Sequence, residues 1–126
     1  MPVGKELGSY EGTFTSIRVC EINGEEQIVE GSYSGKVSGQ LSGTGSGTTT
    51  FSGPNERGIL SDLGVAYLDS GDVVSYKGQG VYWSTSQGIW ETRAAFVIGD
   101  QVMVGEGQLT MADGVVSSSG KLFELI

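Results

Sequence analysis

The stretch "GSYSGKVSGQLSGTGSG", residues 31–47, has the composition of a flexible linker, yet its residues are sorted by parity. Odd positions from 31 to 51 read Gly31, Tyr33, Gly35, Val37, Gly39, Leu41, Gly43, Gly45, Gly47, Thr49 and Phe51; even positions 32 to 50 hold only Ser, Lys, Gln and Thr. A linker has no reason to place its apolar residues on one parity. A strand does, because successive side chains point to opposite faces of a sheet. The segment therefore reads as half-buried strand, with glycines where the sheet coils hard or another backbone comes close. At ~3.3 Å per residue it would run to ~70 Å, far beyond an ordinary strand, so the chain must turn within it. The parity survives the break, which predicts an odd-length loop or a bulge there rather than a two-residue turn.

Turn signals continue at short intervals: "NG" at 23–24, "GPNERG" at 53–58, "DSGD" at 69–72, "STSQG" at 84–88, "GD" at 99–100 and "DG" at 113–114. The runs between them predict strands over 9–21, 26–37, 40–52, 58–69, 72–84, 88–98, 101–112 and 115–125, about eight in all. No gap is long enough for a crossover helix, so sequence neighbours should be spatial neighbours. A meander of this kind leaves two open edges unless its last strand meets its first. The fold class expected is all-β, an antiparallel up-and-down β-barrel of about eight strands, with residues 1–126 forming one domain.

The 126 residues contain no histidine, which removes Ser-His-Asp and Cys-His catalysis and the commonest zinc and haem ligand. A single cysteine, Cys20, excludes an intrachain disulfide framework and reads as a small packing residue. The formal net charge is −8 with no basic cluster, which argues against nucleic acid and against an anionic membrane surface as partners. No apolar run of spanning length and no signal-peptide core follow "MPVGKELGSYEG", so a cytoplasmic location is expected. "GTGSG" lacks the ending of a phosphate loop, and the acidic pairs Glu25/Glu26, Glu6/Glu11 and Asp69/Asp72 lack calcium-loop spacing. Neither a metal nor a cofactor is expected.

Hairpin registers can be derived from the turns. A two-residue Asn23–Gly24 turn sets Val19 opposite Ile28, Phe14 opposite Tyr33 and Tyr10 opposite Val37, and places Arg18 on the apolar parity, where it must find a partner or a rim position. Turns at Gly99–Asp100 and Asp113–Gly114 set Arg93 opposite Glu106 and Glu106 opposite Lys121, a charge-alternating row across three strands. That row is either a solvated outer face or the polar floor of a cavity, with Glu91 beside it and Tyr76 and Tyr82 reached through the preceding hairpin. The opposite parity carries Trp90, Ala94, Phe96, Met103, Gly105, Gly107, Leu109 and Leu122, which favours that face as core. Val97, Val102, Val104, Phe123 and Leu125 nevertheless make the row's own face partly apolar, as for a lined cavity or an oligomer interface. Trp83 and Trp90 are read as packing residues nearly opposite each other across the "STSQG" turn.

The segments "SGDVVSYKGQGV", "GIWETRAAF" and "GKLFELI" resemble a group of small, functionally uncharacterised bacterial barrel proteins with a Gly-Gln-Gly-Val segment after an acidic hairpin turn. The wider shape is similar to allene oxide cyclase-type and calycin-like barrels. The resemblance covers roughly residues 53–126 and rests on Gly78, Gln79, Gly80, Val81 and Trp90. It implies a barrel and transfers no catalytic residue.

The function expected is binding of a small, largely apolar ligand inside the barrel, with Tyr67, Tyr76 and Tyr82 lining the cavity and Arg18, Glu91, Arg93 and Glu106 offering polar contacts. A cofactor-free isomerase or cyclase, with Glu or Tyr moving a proton, is the alternative. A solid structural or homo-oligomer-forming module is a third. An open interior with Glu91 or Glu106 inside at a raised pKa would favour the second, an open one without titratable groups the first, and a solid interior the third.

Overall fold

Each of the seven connections in this chain carries, within it or at its edge, one glycine with a positive φ: Gly24, Gly39, Gly53, Gly71, Gly88, Gly99 and Gly114. Glycine enters that region most readily, with Asp and Asn the next most tolerant, so these positions mark where strands stop. Asp113 (φ 53°) and Gly114 (φ 77°) together form the left-handed pair of a type I′ hairpin turn. The structure, a computed structural model, describes residues 3–126, and Met1 and Pro2 of the expected domain lie outside them. The strands are β1 (Val3–Asn23), β2 (Glu26–Gly39), β3 (Gly43–Gly53), β4 (Arg57–Leu68), β5 (Val73–Ser86), β6 (Ile89–Ile98), β7 (Gln101–Ala112) and β8 (Val115–Leu125). They form a closed barrel in chain order, every neighbouring pair antiparallel. Closure is made by β1 on β8, from Val3 opposite Leu125 to Thr13 opposite Ser117.

The glycine-rich stretch is two strands of this barrel. β2 ends at Gly39, residues 40–42 form a three-residue loop, and β3 resumes at Gly43 opposite Val37. The odd loop keeps odd residues inward on both strands.

The first hairpin differs from its expected register. Asn23 pairs with Glu26, so the turn is Gly24–Glu25, and Val19 faces Val29. Register shifts at Thr15 and Cys20 absorb the difference, so that Phe14 still faces Tyr33 and Tyr10 still faces Val37. Each extra residue in one strand rotates the side chains after it by one face. Arg18 consequently pairs with Glu30 on the outward face and is exposed, and Cys20, a bulge residue, is exposed rather than packed. Beyond Thr13, β1 pairs with β2 alone, and the two bulges together with Arg18 and Glu21 blunt this stretch of edge.

Inward positions are dominated by glycine and aromatic residues, and the two types face each other in register. Tyr10 faces Gly120, Tyr33 faces Gly47, Tyr82 faces Gly58, Tyr76 faces Gly64 and Phe96 faces Gly78. The aromatic ring occupies the volume a side chain on the glycine would need: a Cβ on Gly58 would lie 2.6 Å from the Tyr82 hydroxyl oxygen, and one on Gly78 would lie 2.5 Å from the Phe96 ring. An eight-stranded barrel is just wide enough for side chains to fill. Laying the rings flat on glycine sockets moves their bulk to the wall and leaves room in the middle.

One end is plugged. Leu60, Tyr82 and Ala94 form a buried cluster with Phe51, Trp90 and Phe96 against it, the Phe51 and Tyr82 rings meeting edge-on at 5.6 Å. The Tyr82 hydroxyl donates to the Pro54 carbonyl (2.8 Å) and the Trp90 indole N–H to the Asn55 carbonyl (2.8 Å), which pins the β3–β4 loop over that end.

Candidate functional site

β4 reads "RGILSDLGVAYL", and its even residues Gly58, Leu60, Asp62, Gly64 and Ala66 face inward. Asp62 is therefore a carboxylate on a parity otherwise given to small and apolar residues. Its neighbours are set by the registers of β2, β3 and β5. The Tyr33 hydroxyl donates to Asp62, with its oxygen 2.8 Å from Oδ1 and 2.9 Å from Oδ2, and the Thr49 hydroxyl donates to Oδ1 at 3.3 Å. The Leu63 backbone N–H also serves the carboxylate. Tyr33 and Tyr76 hydroxyl oxygens are 2.6 Å apart. A phenol has one proton. With Tyr33 committed to the carboxylate, Tyr76 is the donor in this second bond, giving a directed chain Tyr76 to Tyr33 to Asp62.

These groups line a cavity of about 150 Å³ whose other walls include Phe14, Phe51, Leu60, Ala66, Ala94, Phe96, Leu109 and Leu122. It lies beneath the Tyr82–Trp90 plug and extends to Leu41 and Ile98, beside the β2–β3 and β6–β7 turns at the opposite end. Tyr10 and Thr92 add a second polar spot on the wall. A dry cavity of about this size takes a molecule as large as benzene.

Burial pushes the Asp62 carboxyl up from 3.8 to about 6, against the Tyr33, Thr49 and Leu63 hydrogen bonds that favour the charged form. Tyr76 is pushed up to about 12, mainly by burial, and Tyr33 is raised strongly by burial and by the Asp62 charge. Burial also raises Tyr10, a hydrogen bond with Thr92 opposing it. The tyrosines thus stay protonated across the ordinary pH range while Asp62 changes charge within it.

Of the seven residues picked from sequence, only Tyr76 lines this cavity. Tyr82 faces inward but sits in the plug with its hydroxyl spent on Pro54. Tyr67, at an odd position of β4, points outward and is 55 % exposed. Arg18 is outward because of the Thr15 bulge. Glu91, Arg93 and Glu106 lie on the parity opposite Ala94, Gly105 and Gly107, hence on the barrel's outer face. There Arg93 pairs with Glu106 at 3.2 Å and Gln108 donates to Glu91 at 3.3 Å. Lys121 stands opposite Glu106 in register, but its ammonium reaches Glu6 at 3.3 Å. Val104 on that face, between Ala95 and Phe123, is fully buried. Trp83 pairs with Glu91 and Trp90 with Ser84, so the two tryptophans point to opposite faces.

Sequence reasoning missed Asp62, Tyr33, Tyr10, Thr49 and Thr92. The signal that could have found them is the glycine parity itself: once glycines mark the inward face, an Asp flanked by Gly58 and Gly64 on the same parity is an inward carboxylate.

Among the described residues, no group of three or more His, Cys, Asp and Glu side chains is placed to hold a metal ion. Compared with known proteins, the chain matches no family model, no curated protein and no solved structure.

Proposed function

We propose that the barrel binds a small, largely apolar molecule in its cavity and holds the molecule's one polar group at the Asp62–Tyr33–Tyr76 chain. The supporting observation is the contrast in the lining: a single buried carboxylate with two phenols in line, surrounded by phenylalanine, leucine and alanine. Binding sites of this kind gain affinity from the apolar wall and orientation from a few fixed polar groups. The closed eight-stranded antiparallel barrel fits this reading, and kinship with small calycin-like or allene oxide cyclase-type barrels is part of the same proposal. Native mass spectrometry of the freshly purified chain, followed by titration with monocyclic compounds, tests it. An Ala66→Phe variant, which fills the cavity from β4, should abolish binding and keep the barrel's circular dichroism; binding unaffected by that substitution would place the ligand elsewhere.

A second reading, a cofactor-free isomerase, is favoured by one observation: a carboxyl with a pKa near 6, hydrogen-bonded to a phenol, is matched to moving a proton near neutrality. An Asp62→Asn variant that still binds but no longer turns over a bound compound would support it.

A further inference from the structure

Among the described residues, every partner of the Asp62 carboxylate is electrically neutral: the Tyr33 and Thr49 hydroxyls and the Leu63 N–H. Its other inward ionisable neighbours are Tyr76 on β5, joined through Tyr33, and Tyr10 on β1 across the cavity. Glu11 and Lys36 also border the cavity, from β1 and β2, but they face each other in register on the outward parity. An ionised carboxylate in an apolar enclosure without a cation is costly, and a group that supplies the missing charge recovers much of that cost. The chain as a whole, at −8, draws cations rather than anions toward itself.

Resting on the cavity reading of the proposed function, we infer that the ligand is a small apolar amine whose protonated nitrogen sits against Asp62 in place of the counter-charge the barrel itself does not provide. The ammonium donates to the carboxylate lone pair left over by Tyr33, Thr49 and the Leu63 N–H and to the oxygen of Tyr76, which gives its own proton to Tyr33 and has lone pairs to offer. The aryl or alkyl body packs on Phe14, Phe51, Phe96 and Leu122, and the cavity size limits it to about one ring. An anionic head is excluded by repulsion, and a neutral alcohol gains only a hydrogen bond.

Calorimetric titration of the full chain with benzylamine, benzyl alcohol and benzoate tests the inference. At pH 8 benzylamine should bind at least about tenfold tighter than benzyl alcohol, with benzoate weakest. Lowering the pH to 5 protonates Asp62 and should weaken benzylamine about tenfold while leaving benzyl alcohol unchanged. In Asp62→Asn the preference for amine over alcohol should vanish; the pH comparison on the unaltered chain makes the same distinction without a variant. Benzyl alcohol or benzoate binding as tightly as benzylamine, or a flat pH response, would overturn the amine assignment and leave the cavity reading standing. Failure of all three compounds to bind would overturn both.

Discussion

The Tyr33 hydroxyl oxygen lies nearly equidistant from the two carboxylate oxygens of Asp62, at 2.8 and 2.9 Å, so one phenolic proton serves both. The bond crosses from β2 to β4 over the glycines of β3. It is the contact on which the polarity of the cavity depends.

Tyr33→Phe should raise the Asp62 carboxyl further. Burial already lifts it, and the Tyr33 hydrogen bond is the strongest of the interactions holding it down. Carbon-13 resonances of the Asp62 carboxyl followed through a pH titration measure this directly. An unchanged or lowered midpoint would contradict the assigned donor.

Asp62 also sets a pH dependence of stability. Its folded-state pKa, about 6, lies above the unfolded value near 3.8, so the native state holds the proton more tightly. The stability this contributes is fully present below the unfolded value and is lost as pH rises through about 6. Asp62→Asn removes the effect. It should therefore exceed the parent in stability at pH 8 by about 2 to 3 kcal/mol, with the difference shrinking toward pH 4, as read by urea denaturation of both chains.

Gly64→Ala should cost about 1 to 3 kcal/mol, because its Cβ would sit on the Tyr76 ring and 2.6 Å from the Ser46 carbonyl oxygen, where the backbone cannot give way. Gly24→Asn is the contrast: nothing lies within 4 Å of a Cβ there, and asparagine tolerates the φ of 65°. Its cost should stay below about 1 kcal/mol. Equal losses in the two variants would argue against the socket account.

Removing the Tyr82 hydroxyl with Tyr82→Phe deletes the bond to Pro54 and should cost about 1 kcal/mol. The loop over the plugged end should loosen, with faster amide exchange in residues 53–58 and little change in β7.

Arg93→Ala should change stability by less than about 1 kcal/mol and leave cavity binding untouched, since the Arg93–Glu106 pair is about a third exposed on the outer face. A large loss of ligand affinity in this variant would mean that the outer row communicates with the interior.

Periodicity by twos was enough to give the eight strands in their order, the all-β class, an odd loop inside the glycine stretch and the Arg93–Glu106 register, because pleating and short turns act between neighbours in the chain; it started β1 six residues late, at 9 rather than Val3, and began the third strand at 40, inside the loop, rather than at Gly43. Two places escaped that logic. The bulges at Thr15 and Cys20 each flipped the face of the residues beyond them, so Arg18 left the parity its position implied. The cavity site unites Tyr33, Asp62 and Tyr76, which lie 29 and 43 residues apart along the chain from Tyr33 and on three different strands. The glycine parity marks the inward face of each strand, but only closure of the sheet brings these strands around one space and so encloses the carboxylate instead of solvating it. The same Asp62 on the outer face would be one more surface charge; inside, desolvation makes it the group that changes state near neutral pH.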